Sequence, residues 1–342
     1  VVLARSLFWG FWIIADSAQF STIVSEIAPG PYVGTAMTAQ LALGFTLTAV
    51  TIALVPLLLQ AGHRVTVLAR DQQKLQQMPW VQAVTIIADD LTDADVCHRA
   101  VAGVEAVVHL ADLAHVRATG TAHQKSFLNL QRLANAATRA GVQRFVYLSS
   151  CKARYPAHSS YGYNKKTSEE WLLALQGSMQ VVCLRPGIIY GNGMGNNLQT
   201  LLKVLQRLWL PLFVSSQNAV SMISVQDCCS AVAVALTAPP LAGRVWDIND
   251  GVAYTLDSLV ALIRQFYGLT VPRRCPRLLI QALCLLAEPL ARLRLSPIGL
   301  DTSRVLFKED YPINQEFALV GNFTICQDFR QYLHEQLPPT IP

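Results

Sequence analysis

Apolar and polar residues follow different patterns on the two sides of residue 60. From Val33 to Leu59 the chain has 27 residues without a charge. A helix needs about 20 apolar residues to cross a bilayer core of about 30 Å, so this run predicts a membrane-spanning helix. The apolar stretch Leu7 to Ala15 is shorter and predicts a second span less strongly.

After Ala61, short apolar runs rich in β-branched residues alternate with helix-length segments. This alternation is typical of a parallel sheet that is covered by helices on both faces. We therefore expect an α/β fold with a doubly wound parallel sheet and a small C-terminal lobe, preceded by one or two hydrophobic helices. The predicted strands lie in the segments HRVTVLAR, VQAVTIIADDL, VEAVVHLAD, VQRFVYLSS and MQVVCLRPGIIYG.

Composition narrows the classes of function. Among the 342 residues, 52% are hydrophobic and only 14% are charged, and the formal net charge is +5. A modest positive balance favours anionic small molecules or a membrane surface over nucleic acid. The eight cysteines show no metal-ligand spacing, so we expect buried, reduced thiols and no metal site.

Five motifs occur in an order that resembles the extended short-chain dehydrogenase/reductases, the NAD-dependent epimerase/dehydratase family. They are VTVLARD, ADDLTD, VVHLAD, YGYNK and LRPGIIYG, and the resemblance runs from about Leu54 to Leu333. It is closest to the UDP-sugar 4-epimerases and reductases. The resemblance implies a Rossmann-like domain over residues 60–342, with a cofactor-binding half (60–185) and a part (186–342) that is mainly substrate lobe. It also implies NAD(P)-dependent chemistry on a nucleotide sugar, and it is compatible with a homodimer.

The YGYNK motif supplies the residue types that this chemistry requires. Tyrosine, with a pKa of about 10, is a poor base at neutral pH, and a lysine one helical turn away lowers that pKa by proximity. Tyr161 and Lys165 have this spacing, and the resemblance makes Lys165 also a ligand of the nicotinamide ribose. Tyr163 is followed at the same spacing by Thr167, which carries no charge.

A hydroxyl donor at the end of the preceding strand is expected to orient the substrate oxygen. Ser149, Ser150 and Cys151 are the candidates, and Ser150 is preferred from its place in the LSS strand end. The spacing from Ser150 to Tyr161 is 11 residues, about half of what the epimerase pattern shows.

The residues at the strand ends predict the cofactor contacts. Arg70 stands where a basic residue favours the 2′-phosphate of NADP over NAD, although a solvated charge is the alternative. By resemblance, the remaining contacts fall on Asp90, Leu91, His109, Leu110, Ala111 and Pro186. Asp90 could equally serve as a carboxylate at a helix N-terminus, and His109 as a packed histidine.

Several positions depart from the family pattern. The glycine-rich turn that normally precedes the first helix is absent ahead of Leu54, so pyrophosphate binding is expected to be weak. The phosphate-clamping residues of the epimerases read Ala219, Val220 and Ser221, and the helix-borne Asn falls on Ser126 or Asn129. These departures leave a second hypothesis, a catalytically silent Rossmann-like membrane subunit.

The first 58 residues resemble two late transmembrane helices of a major facilitator superfamily transporter. In that setting Asp16 would be an intramembrane carboxylate. Two helices cannot form the two-halved bundle that such transporters need, so residues 1–59 are expected to act as a membrane anchor. A transporter remnant is a further alternative. The expected location is the inner or cytoplasmic membrane, with the enzyme domain facing the cytoplasm.

Overall fold

The computed structural model describes ten stretches of the chain, which carry nine α-helices and twelve strands. The described residues are 46–70, 75–110, 120–177, 179–191, 212–214, 216–266, 273–275, 277–292, 308–311 and 313–336. In chain order the elements are α1 (Thr46–Gln60), β1 (Thr66–Ala69), β2 (Thr85–Ala88), α2 (Ala94–Val101), β3 (Ala106–His109), α3 (Gly120–Arg139), β4 (Arg144–Leu148), α4 (Ser160–Leu173), β5 (Gln180–Pro186), β6 (Ile188–Tyr190), β7 (Leu212–Val214), β8 (Ala219–Val220), β9 (Met222–Ser224), α5 (Val225–Thr237), β10 (Arg244–Ile248), β11 (Tyr254–Thr255), α6 (Leu256–Phe266), β12 (Arg273–Cys275), α7 (Arg277–Arg292), α8 (Glu316–Gly321) and α9 (Phe329–Gln336).

The central sheet is parallel, as the alternation of strands and helices predicts. Its four strands lie in the order β10-β5-β4-β3. Strands β1 and β2 form a separate parallel pair, and no strand within the described ranges joins that pair to β3. The two parts together confirm the predicted Rossmann-like α/β class.

Helices cover both faces of the central sheet. Along β4, Val146 and Leu148 belong to a core with α1 and α5, whereas Phe145 and Tyr147 belong to a core with α3 and α4. Alternate residues of a strand point to opposite faces, so each face has its own hydrophobic core. This explains why β4 is buried along its whole length.

Helix α1 corrects the predicted membrane span Val33–Leu59 over the part that the structure describes, residues 46–59. Its residues Val50, Leu54 and Leu58 are buried in the core that includes β4, β5 and α5. On another side, Val55 packs in a small core with Val67 of β1. An apolar run that is buried on two sides resembles a membrane helix in composition, and this similarity explains the error.

No helix among the described residues has the length and apolar character to span a membrane. The apolar stretch before residue 46, with Asp16 and the transporter-like sequence, lies outside the described residues. The expected boundary between residues 59 and 60 stays a prediction, although α1 packs in the same core as the sheet.

A further core lies in the C-terminal part of the chain. Tyr190, Met222, Tyr254 and Phe329 pack together there, and their side chains are buried. Residues 186–342 do not all belong to the C-terminal lobe, because β10 is a strand of the central sheet and α5 packs against one face of that sheet.

Candidate active site

The candidate site lies at the carboxyl edge of the central sheet. The register pairs His109 of β3 with Tyr147 of β4, and Leu148 of β4 with Leu184 of β5. The last paired residues of these parallel strands therefore lie along the same edge. Ligands of open α/β sheets bind outside the carboxyl ends of the strands.

Helix α4 brings Tyr161 and Lys165 to this edge. The helix begins after Ser159, whose side chain accepts a hydrogen bond from the amide of Gly162 at 3.0 Å. Lys165 is buried, and its Nζ donates to the carbonyl oxygen of Leu148 at 3.0 Å. The same Nζ lies 5.8 Å from the ring centroid of Tyr161. Tyr163 is 64% exposed, whereas Tyr161 is half-buried, so the two tyrosines have different surroundings.

The two serines at the end of β4 differ in their partners. Ser149 is buried and donates its hydroxyl to Glu169 Oε1 at 2.5 Å. Ser150 is half-buried and caps the 3₁₀ helix Cys151–Arg154, with its Oγ accepting from the Lys152 amide at 3.3 Å. Burial raises the pKa of the Cys151 thiol to about 11. The choice of Ser150 as the hydroxyl donor to the substrate oxygen therefore stays a prediction.

The short connection between Ser150 and Tyr161 folds as two 3₁₀ helices packed on the first turn of α4. A Cβ at Gly162 would lie 2.5 Å from the carbonyl oxygen of Lys152, so only glycine permits this close approach. The loop is held further by Glu309, whose carboxylate accepts from Lys152 Nζ at 2.6 Å. Glu309 Oε1 also lies 3.4 Å from His158 Nδ1. The compact loop thus places Ser150 and Tyr161 on adjoining elements.

A buried ion pair that the sequence motifs do not indicate supports this arrangement. Glu169 lies two turns after Tyr161 on α4, and its carboxylate accepts from Arg185 at 2.7 and 2.5 Å. Burial lowers the pKa of Arg185, but the Glu169 hydrogen bonds and charge raise it, and the net shift is upward. No spacing along the chain signals this pair, because Glu169 and Arg185 lie 16 residues apart, one on a helix and the other on a strand.

Arg70 and Asp90, which are predicted to lie on the adenosine side, come together at the ends of β1 and β2. Arg70 Nη1 lies 3.8 Å from Asp90 Oδ2, and both side chains are exposed. Asp90 Oδ1 accepts from the Thr92 amide at 2.9 Å, but the residue that caps α2 is Asp93. Leu91 is half-buried and packs against the core on the α3 and α4 face.

The other predicted cofactor contacts lie at or beside the ends of β3 and β5. His109 is buried, with ring centroids of Tyr147 and Phe145 at 5.7 and 6.3 Å. Leu110 packs against the core on the α1 face. Pro186 is buried and pairs with Ile248 of β10. Ala111 lies outside the described residues.

The positions that depart from the family pattern have structural roles. Ala219 and Val220 form β8, and the carbonyl oxygen of Ser221 accepts from the Ile188 amide at 2.8 Å. Asn129 is buried and accepts from Arg132 at 3.1 Å. Ser126 is also buried on α3.

The residues fit one part of a dinucleotide better than the other. A buried ammonium beside a phenol at a sheet edge suits the hydroxyl groups of a ribose, and Arg70 suits an anionic or polar adenosine end. At the N-terminus of α1, where a pyrophosphate would lie, residues 46–50 include no glycine. Because side chains there keep the backbone from a close approach, the phosphate portion fits poorly.

A parallel α/β sheet with a tyrosine–lysine pair at its carboxyl edge defines a Rossmann-like protein of the short-chain dehydrogenase/reductase class. Residues 50–248, more than half of the chain, match the model of the NAD dependent epimerase/dehydratase family. The chain belongs to that family.

Sequence relatives have different substrates. The chain is 28% identical over 201 residues to a UDP-glucose 4-epimerase of Vibrio cholerae, covering 50% of this chain and 61% of that protein. It is 29% identical to a 3 beta-hydroxysteroid dehydrogenase/Delta 5-->4-isomerase of Mycobacterium tuberculosis, covering 48% and 51%. It is 30% identical to a ceramide reductase of Caulobacter vibrioides, covering 53% and 59%. The matches therefore span less than two thirds of each relative.

Solved structures show the same fold at lower identity. MoeE5 in complex with UDP-glucuronic acid and NAD aligns with a TM-score of 0.63 and 20% identity, over 83% of this chain and 93% of that chain. A UDP-glucose 4-epimerase of Thermotoga maritima with UDP-glucose aligns with a TM-score of 0.62 and 16% identity, over the same shares.

Proposed function

We propose that this chain is an NAD(P)-dependent epimerase/dehydratase or reductase that acts at a hydroxyl or keto carbon of a nucleotide sugar. The observation that carries the proposal is the buried Lys165 ammonium beside the ring of Tyr161 at the carboxyl edge of the sheet. The Vibrio relative and the neighbour solved with UDP-glucuronic acid support the substrate class.

In this proposal Tyr161 removes the proton from the sugar hydroxyl. The Lys165 charge stabilises the phenolate that accepts the proton. Ser150 donates a hydrogen bond to the same substrate oxygen and orients it. A bound nicotinamide would supply the hydride chemistry.

The residues at the strand ends would hold that cofactor. Lys165 binds the ribose hydroxyls, and Arg70 and Asp90 lie at the adenosine end. Arg70 favours NADP in this proposal, since a guanidinium pairs with a 2′-phosphate. Asp90 already neutralises part of that charge at 3.8 Å, so the preference for NADP over NAD is expected to be small.

A second candidate substrate is a lipid alcohol or ketone. The hydroxysteroid dehydrogenase and ceramide reductase relatives are as similar to this chain as the epimerase is, at 29% and 30% identity. The same tyrosine and lysine would perform the proton transfer, so the two candidates differ only in the lobe that binds the substrate.

Turnover assays with the full chain distinguish these candidates. The purified protein is incubated with UDP-glucose or a 3β-hydroxysteroid at high NAD or NADP concentration, and with a long-chain keto lipid at high NADH or NADPH concentration. Chromatography detects conversion of the sugar or lipid, and absorbance detects formation or consumption of reduced cofactor. The proposal expects conversion of the nucleotide sugar, with Tyr163→Phe as an active control. Conversion of a lipid alone would select the second candidate, and no conversion of any substrate would favour the silent subunit.

A further inference from the structure

Helix α7 presents leucines on its exposed side. Leu278, Leu285 and Leu286 are 79%, 62% and 75% exposed, and Ala282 and Pro289 are exposed as well. Apart from the adjacent Leu285 and Leu286, successive positions are spaced three or four residues apart, so they form one stripe along the helix. We call this stripe the leucine face.

Three other described residues of α7 are less exposed than the leucine face. Cys284 is buried, and Gln281 and Glu288 are half-buried. A helix on the surface of a soluble domain normally buries its apolar side and exposes its polar side. In α7 the residues of the leucine face are exposed instead, and a contiguous exposed apolar patch marks a site of interaction.

The charge around α7 indicates what this site contacts. Residues 273–294 contain five of the 27 basic residues and one of the 22 acidic residues, so they carry +4 of the net charge of +5. The acidic residue is Glu288. The basic residues stand at both ends of the helix sequence and are Arg273, Arg274, Arg277, Arg292 and Arg294.

We propose that the leucine face of α7 lies in the headgroup region of a bilayer that contains anionic phospholipid. Helices with leucines on one side and basic residues beside them bind at membrane interfaces, because burial of apolar area adds to attraction by anionic lipid. A second copy of the chain is a less favoured partner for the leucine face, since a two-fold contact would bring the arginines of both copies together. The proposal does not depend on the catalytic activity proposed above.

Hydrogen exchange in the full chain tests the proposal at the helix itself. Vesicles of phosphatidylcholine with about 30% phosphatidylglycerol are compared with phosphatidylcholine alone, because each basic residue near an anionic surface adds about 1 kcal/mol, or about fivefold in affinity. Amides of residues 277–292 should exchange at least about threefold more slowly with the anionic vesicles. This readout separates α7 from any vesicle contact made by residues 1–45.

Substitutions then identify the contacts. Leu285→Asp with Leu286→Asp should remove the protection, and Arg273→Gln, Arg274→Gln and Arg277→Gln together should weaken vesicle binding at least about tenfold. Leu319→Asp is the matched control, because Leu319 is 80% exposed on α8. Circular dichroism and urea unfolding confirm that each variant is folded.

Three results would overturn the proposal. The first is equal exchange of residues 277–292 in anionic and neutral vesicles. The second is retention of the protection in the Leu285 and Leu286 variant. The third is protection that appears without vesicles as the protein concentration rises, which would identify a second copy as the occupant.

Discussion

The carboxylate of Glu169 on α4 and the guanidinium of Arg185 on β5 form two hydrogen bonds, at 2.7 and 2.5 Å. Glu169 is fully buried, and it also accepts the hydroxyl of Ser149. The pair therefore ties the helix that carries Tyr161 and Lys165 to the edge of the sheet where Ser150 follows β4. A buried charge in this position is retained only because its partner and hydrogen bonds are present.

Glu169→Ala is expected to lower the free energy of unfolding by about 3–5 kcal/mol, because it leaves the Arg185 charge buried without its partner. Urea unfolding followed by circular dichroism measures this change. Glu170→Ala is the matched control: Glu170 is an exposed neighbour that pairs with Lys166 at 3.3 Å, and such a pair contributes at most about 1 kcal/mol. Similar losses in the two variants would contradict the role of the buried pair.

The tyrosine–lysine pair predicts a ranking of catalytic losses. In the turnover assay, Tyr161→Phe should remove nearly all activity, since no proton acceptor remains. Lys165→Ala should lower kcat/KM at least about 100-fold, the usual effect of a positioned acid–base group. Tyr163→Phe should leave the rate nearly unchanged, because that side chain is largely exposed. Equal losses at Tyr161 and Tyr163 would mean that the helix is assigned wrongly.

The sequence predicts those features that depend on neighbours along the chain. The parallel α/β class follows from apolar runs such as β4 and β5, and the pairing of Tyr161 with Lys165 follows from a spacing of one helical turn. The segment that became α1 was misread, because a helix buried on two sides has the uncharged composition of a membrane span.

Contacts between distant residues could not be predicted in this way. Glu309 binds Lys152, which lies 157 residues earlier, and Arg154 pairs with Asp247. Neither pair has a spacing that a helix or a strand would impose. The packing of the loop after Ser150 depends on such contacts, so the sequence could place Ser150 near the site but could not describe its surroundings.

Cofactor affinity is expected to be low because of the sequence before α1. The missing glycine turn removes several charge-assisted hydrogen bonds of about 1.5–3 kcal/mol each, and each 1.4 kcal/mol changes affinity about tenfold. A micromolar site would thus become millimolar, and calorimetry with NAD or NADP should show no saturation at ordinary concentrations. A chain in which a strand and a Gly-x-x-Gly-x-x-Gly turn precede Leu54 should recover binding. Micromolar binding by the unmodified chain would contradict this account.

The carboxyl group of Asp250 should make stability depend on pH. It accepts hydrogen bonds from Tyr190 and Tyr254 at 3.1 and 3.2 Å, and burial raises its pKa to about 6. The value in an unfolded chain is about 3.9, so the folded state binds the proton more tightly. The stabilising contribution of this proton is therefore complete below about pH 4 and is lost as the pH rises through about 6.

Urea unfolding between pH 4 and pH 7 measures this contribution as the difference between the protein and Asp250→Asn, because the other titrating groups cancel in that difference. The stability of the protein relative to the variant should fall as the pH rises over this interval. Glu170→Gln, at an exposed position, should leave the pH dependence of the protein unchanged. If Asp250→Asn shows the same slope as the protein, the pH dependence comes from another buried group.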